Sequence, residues 1–230
     1  MTNHHFIPPF RRALARHHPS AFLLAAQLIS LVLYALLEGS TSGRAVISAF
    51  GGLVLALVIW VVTRSPAVNW VAWVLAIPAF TLSLASALTD LPMLVVAAAL
   101  LEAALYFYTV ASLIAYMMAD SRVTTDELYA AASTFTLLAW GFAFLYQACQ
   151  AVFPGSFVGG LHPDQAHTFL ELLFVSFTNI TATGFGDIMA VSSPARILVI
   201  LEQFTGVAYV TMVISRLIGM TIGQSKHKGK

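Results

Sequence analysis

Residues 171–187 read Glu-Leu-Leu-Phe-Val-Ser-Phe-Thr-Asn-Ile-Thr-Ala-Thr-Gly-Phe-Gly-Asp, an apolar run that breaks into threonines and alternating glycines. The segment 167–180 is too short to cross a bilayer, and apolar runs of about 10–14 residues are more often re-entrant or buried than spanning. The residues after it carry a particular backbone requirement. An extended strand points successive carbonyls to opposite sides. Gly184 and Gly186, at alternate positions, accept positive φ and let the strand break that alternation. Carbonyl oxygens of Thr181, Ala182, Thr183, Gly184, Phe185 and Gly186 can then face one axis and cage a dehydrated cation. A helix ending near 178–180 would aim its partial negative charge at the same place, and Glu171 complements the dipole at its other end. Asp187 is expected either to brace this segment by a hydrogen bond or to add charge at its outer rim, and the two roles are compatible.

The rest of the chain supplies a membrane setting. Of its 230 residues, 59% are hydrophobic and 9% charged, where a soluble domain carries about a quarter charged. Six segments, 21–37, 45–62, 68–88, 93–118, 128–152 and 195–222, are near or above the ~20 residues a spanning helix needs. Helix is the expected form because lipid leaves backbone groups no other partner. Pro19-Ser20 is expected to cap the first helix, Pro78 to kink the third, and 89–92 to turn between the third and fourth. Arg11, Arg12 and Arg16 before the first apolar run resemble a secretory leader. That run is longer than a leader core and lacks a small-x-small site before Gly39, so it reads as a retained membrane helix. A net charge of +1 points to no polyanionic partner, nucleic acid included. Cys149, alone in an apolar block, reads as a small buried hydrophobe.

Orientation follows from the basic residues. Six crossings put both termini on one side with Arg64 and Arg122, giving nine basic residues there against two, Arg44 and Arg196, on the other. The positive-inside rule then places both termini in the cytoplasm of a cell's plasma or inner membrane. The short segment enters from outside. The expected layout is an N-terminal cytoplasmic segment (1–20), a four-helix peripheral membrane domain (21–118), a linker (119–127), a pore region (128–222) and a short tail (223–230). Within the pore region, a pore helix spans 167–180, a filter 181–187 and an inner helix 195–222. Pro154-Gly155-Ser156 and Gly159-Gly160 mark an irregular outer loop.

Outer helix, pore helix, a Thr-x-Gly-Phe-Gly-Asp stretch and inner helix together resemble the pore of the potassium-channel superfamily. From about Arg122 to Leu217 the chain is similar to small bacterial six-helix members of it. Val123-Thr-Thr-Asp126, Leu201-Glu-Gln-Phe-Thr-Gly206 and Arg216-Leu-Ile-Gly219 belong to that likeness, whereas the first four helices match in number and hydrophobicity only. The resemblance implies an all-α membrane fold, a homotetramer of this chain with three identical subunits, and potassium as the permeant ion bound at Ala182, Thr183, Gly184 and Phe185. It implies no cofactor. The chain departs from the family at three positions. Ala182 and Asn179 replace threonines, and Thr183 stands where an aliphatic residue is commoner. Ala182 brings a carbonyl but no hydroxyl, so a weaker innermost site with potassium selectivity retained is expected; a weakly selective monovalent cation channel is the alternative.

A voltage sensor needs Arg or Lys repeating along a membrane helix, and none occurs between Arg64 and Arg122, so conventional voltage gating is not expected. Nor is a ligand-binding gate expected in the tail after Ile222. Glu202, in the first half of the inner helix, reads either as a proton-sensitive brace behind the filter or as a structural hydrogen bond. Glu102 reads as a structural contact. Gly206 is a candidate hinge, with close helix packing the commoner role. His162 and His167 are candidates for external pH sensitivity, and His4-His5 and His17-His18 read as solvated or membrane-surface residues. A transporter is disfavoured by the lack of internal repeats and matched broken helices. No nucleophile–base set, metal cluster or phosphate loop suggests an enzyme.

Overall fold

The structure, a computed structural model, describes residues 19–37, 54, 56–60, 69–89, 91–119, 125–160 and 165–228. Helix α1 (Pro19–Leu37) starts two residues before its expected limit, and its cap comes from elsewhere in the chain. The Ser20 N–H and hydroxyl both donate to the Asp126 carboxylate, at 3.4 and 3.3 Å. An acid on a distant helix thus satisfies an orphan donor of the first turn. The second expected span, 45–62, lies outside the described residues apart from 54 and 56–60, which are helical.

Helix α2 (Asn69–Leu88) continues through Pro78, which removes one rung of its hydrogen-bond ladder. Thr89 ends it, its N–H and hydroxyl both donating to the Ala85 carbonyl at 3.0 and 2.8 Å. Helix α3 (Pro92–Ala119) opens on a proline, whose missing N–H is an orphan at that position anyway. Helix α4 (Thr125–Val152) carries Asp126 and Glu127 in its first turn, where they oppose the positive dipole end. The linker expected at 119–127 is therefore mostly helical at its far end.

Among the described residues, α3 and α4 pack on each other more extensively than any other pair of elements. Buried Ala99, Ala103, Ala130, Ala139 and Ala143 allow close approach, as small residues do between membrane helices. At Gly141 an added Cβ would meet the Phe107 ring at 3.2 Å.

After α4 the outer loop is more regular than expected. β1 (Phe157–Gly159) pairs antiparallel with β2 (Ile188–Ala190), Val158 opposite Met189. Between the strands runs helix α5 (Phe169–Ile180), and after β2 comes α6 (Ser193–Lys228). α6 begins earlier than expected because the Ser192 hydroxyl accepts from the Ala195 N–H at 3.3 Å. It also runs on through most of the expected tail. Hydrophobicity ends near Ile222, but the polar residues beyond it include no proline to stop a helix.

Among the described residues, four helices are long and apolar enough to cross a membrane: Ser20–Leu37, Pro92–Ala119, Asp126–Val152 and Ser193–Arg216. Trp70–Ser86 and Phe169–Ile180 are shorter apolar helices. One hydrophobic cluster joins Leu23 of α1, Leu105 and Tyr106 of α3 and Trp140 of α4 to Leu173 and Ile180 of α5 and Tyr209 of α6. The packing does not separate at residue 118.

Candidate functional site

The short helix α5 is set by its ends. Thr168 caps it with a reciprocal box: the Glu171 N–H donates to the Thr168 hydroxyl at 3.3 Å, and the Thr168 N–H to the Glu171 carboxylate at 2.7 Å. Two orphan donors are satisfied at once. One residue earlier, the Gln150 amide clamps the His167 backbone, donating to its carbonyl at 2.8 Å and accepting from its N–H at 3.2 Å. His167 is buried, its Nδ1 3.7 Å from the Glu171 carboxylate. His162 lies outside the described residues.

The carboxyl end decides the geometry of 181–187. Ala182 N–H donates to the Asn179 carbonyl at 2.8 Å, while Thr183 and Gly184 N–H both donate to the Thr178 carbonyl, at 2.9 and 3.0 Å. A trans peptide holds its C=O opposite its N–H. With the N–H groups of 182, 183 and 184 turned back onto α5, the carbonyls of Thr181, Ala182 and Thr183 point away from it. Positive φ occurs at Ala182 (+54°), Gly184 (+56°) and Gly186 (+76°). The alternation therefore starts two residues earlier than the glycines alone indicate, on a residue with a Cβ. Residues 181–187 are all exposed in the single chain.

Two hydroxyls stiffen the turn. Thr181 donates to the Phe177 carbonyl at 2.8 Å, so Thr183, whose hydroxyl is 2.8 Å from that of Thr181, is the donor between them. The unusual Thr183 is thereby tied to the helix end. Asp187 braces with its backbone, its carbonyl accepting from Gly160 N–H at 3.0 Å, while the residue itself is exposed. Gly159 is required beside it, because at φ +111° an added Cβ would collide with the Asp187 carbonyl.

Behind this segment lie residues that the sequence pattern singled out only in part. Glu202 of α6 is fully buried, and its two carboxyl oxygens lie within hydrogen-bond distance of the hydroxyls of Ser176 of α5 and Tyr146 of α4. Buried Asn179 adjoins Tyr146. Tyr146 and Ser176 carried one weak signal: each is a polar tip inside an apolar run, and such tips seek partners when buried. Gly206 lies against the last turn of α5, where an added Cβ would fall 2.8 Å from the Ile180 side chain and nearer still to its carbonyl. Its place is one of close packing. Glu102 accepts from Ser83, linking α3 to α2. Among the described residues no group of three or more His, Cys, Asp or Glu is placed to hold a metal ion.

Residues 132–222, from within α4 through most of α6, match the family model described as "Ion channel". No curated protein and no solved structure matches the chain.

Proposed function

We propose that the chain is a member of the potassium-channel superfamily, one subunit of a homotetrameric channel conducting potassium passively, a reading that the match of residues 132–222 to the ion-channel family model supports. The observation that carries this reading is the turning-back of three successive N–H groups onto α5, at 182, 183 and 184. It leaves a row of carbonyls on an open face, and a single chain cannot close a ring around an ion. Four copies can. In this reading α4 is the outer helix, α5 the pore helix and α6 the inner helix. Both termini are cytoplasmic, and the peripheral helices lie in the bilayer of a plasma or inner membrane. Potassium would be held by the carbonyls of Ala182, Thr183, Gly184 and Phe185, with Thr181 and Gly186 at the two ends.

Ala182 favours a second reading, a weakly selective monovalent cation channel. It offers the innermost site no hydroxyl, and the Thr183 hydroxyl is engaged with Thr181. Reversal potentials of the purified protein in bilayers under opposed potassium and sodium separate the two. A potassium channel gives a strongly displaced reversal potential. Near-equal permeability supports the second reading, and an absence of any potassium flux in liposomes overturns both.

A further inference from the structure

Ser176 has more acceptors than protons. Its hydroxyl faces the Ala139 carbonyl at 2.7 Å and also one oxygen of the Glu202 carboxyl. A serine hydroxyl carries one proton. If Glu202 is ionised, only one of those two contacts has a hydrogen in it. The charge would also sit at 0% exposure, and among the described residues Glu202 makes no ion pair. Ser176 and Tyr146 would be its two donors, from neutral hydroxyls, which compensates poorly for lost hydration.

A neutral acid removes both difficulties. Glu202 O–H then donates to Ser176, Ser176 donates to the Ala139 carbonyl, and Tyr146 donates to the other Glu202 oxygen. Each proton has one acceptor, and the chain of bonds runs from α6 through α5 to α4. We infer that Glu202 carries a proton and acts as the positioning residue that fixes α5 between α4 and α6. Ser176 lies two residues before Thr178, whose carbonyl receives the Thr183 and Gly184 N–H groups, so the height of α5 sets the height of the carbonyl row. The positioning role rests on the pore reading, whereas the proton assignment does not.

The test compares wild type, Glu202→Gln and Glu202→Ala, purified and placed in potassium-loaded liposomes. Infrared spectra of the wild type should contain the carbonyl stretch of a buried protonated carboxyl that Glu202→Gln lacks. A glutamine amide can donate to Ser176 and accept from Tyr146. Glu202→Gln should therefore keep its potassium flux within about twofold, while Glu202→Ala, which takes the acceptor from the buried Tyr146 hydroxyl and the donor from Ser176, should lose about tenfold or more or fail to assemble. A wild-type spectrum without that band, or a Gln variant as damaged as the Ala variant, overturns the inference. If the wild type passes no potassium, the pore reading fails by itself. The infrared difference and the order of thermal stability, wild type and Gln above Ala, still decide the proton.

Discussion

Ala182 holds φ at +54° between residues of ordinary backbone, a conformation that costs a residue bearing a Cβ roughly 1–2 kcal/mol. The Asn179 carbonyl keeps it there by accepting its N–H. Ala182→Gly is expected to raise unfolding stability by about 1 kcal/mol per chain, read from thermal or denaturant melts in detergent; an unchanged or lowered midpoint would show that the left-handed turn is not populated. Gly206→Ala tests the opposite situation, a Cβ with no room. Overpacking costs about 1–3 kcal/mol, and here the obstacle is the Ile180 backbone. The expected outcome is displacement of α5, seen as lower thermal stability together with lost flux. A Gly206→Ala protein of full stability that is merely held shut would favour a hinge instead. Gly184 and Gly186 were readable as positive-φ positions because glycine advertises that freedom. Ala182 was not, since its conformation is imposed by neighbours.

Elements are joined by contacts that hydropathy does not encode. Phe169, in the first turn of α5, lies in an aromatic cluster with Tyr34 of α1 (5.5 Å between centroids) and Trp140 and Phe144 of α4 (5.7 and 4.6 Å). Tyr106 of α3 stacks on Trp140 at 6.1 Å. Helix α1 thus meets α5 at its amino end. Phe169→Ala should lower stability by about 3 kcal/mol, and a melt indistinguishable from wild type would remove α1 from any role in seating α5. At the other end of the molecule Arg216 of α6 pairs with Glu127 of α4 at 3.1 Å, with Glu127 5% exposed. Removing one partner of a buried pair costs about 3–5 kcal/mol. Arg216→Gln is expected to approach the lower end of that range, and the double variant with Glu127→Gln to recover part of it; two additive losses would show the pair to be uncoupled. Helix limits were legible to within a few residues wherever hydrophobicity ended with the helix. They were missed at Pro19, where the cap comes from Asp126, and beyond Ile222, where a polar helix continues.

At the scale of the whole molecule, α6 is the least buried of the helices able to cross a membrane among the described residues. Ile200, Phe204 and Val207 are 63%, 73% and 56% exposed, and the open carbonyl row lies in the same chain. Under the tetramer reading, cysteines placed at Phe204 in a Cys149→Ala background should cross-link copies to one another; exclusively monomeric product after oxidation would sink that arrangement. Voltage acts on a protein through charge it can move, about 2.3 kcal/mol per elementary charge per 100 mV. With no Arg or Lys between Arg64 and Arg122, current should follow voltage without steep activation. A sharp rise in open probability across that range would require gating charge elsewhere.

The sequence by itself determined the long apolar helices, the positions of most of them and the positive φ of Gly184 and Gly186, because hydrophobic length, proline and glycine are local properties of the chain. Tertiary structure alone decided where three long-range contacts form. Asp126 caps α1, Gly206 admits the end of α5, and Glu202 gathers Ser176 and Tyr146. Each depends on residues dozens of positions apart arriving at one buried place, where an unpaired polar group is costly and an extra methyl has no space. Those conditions exist only once the helices have packed.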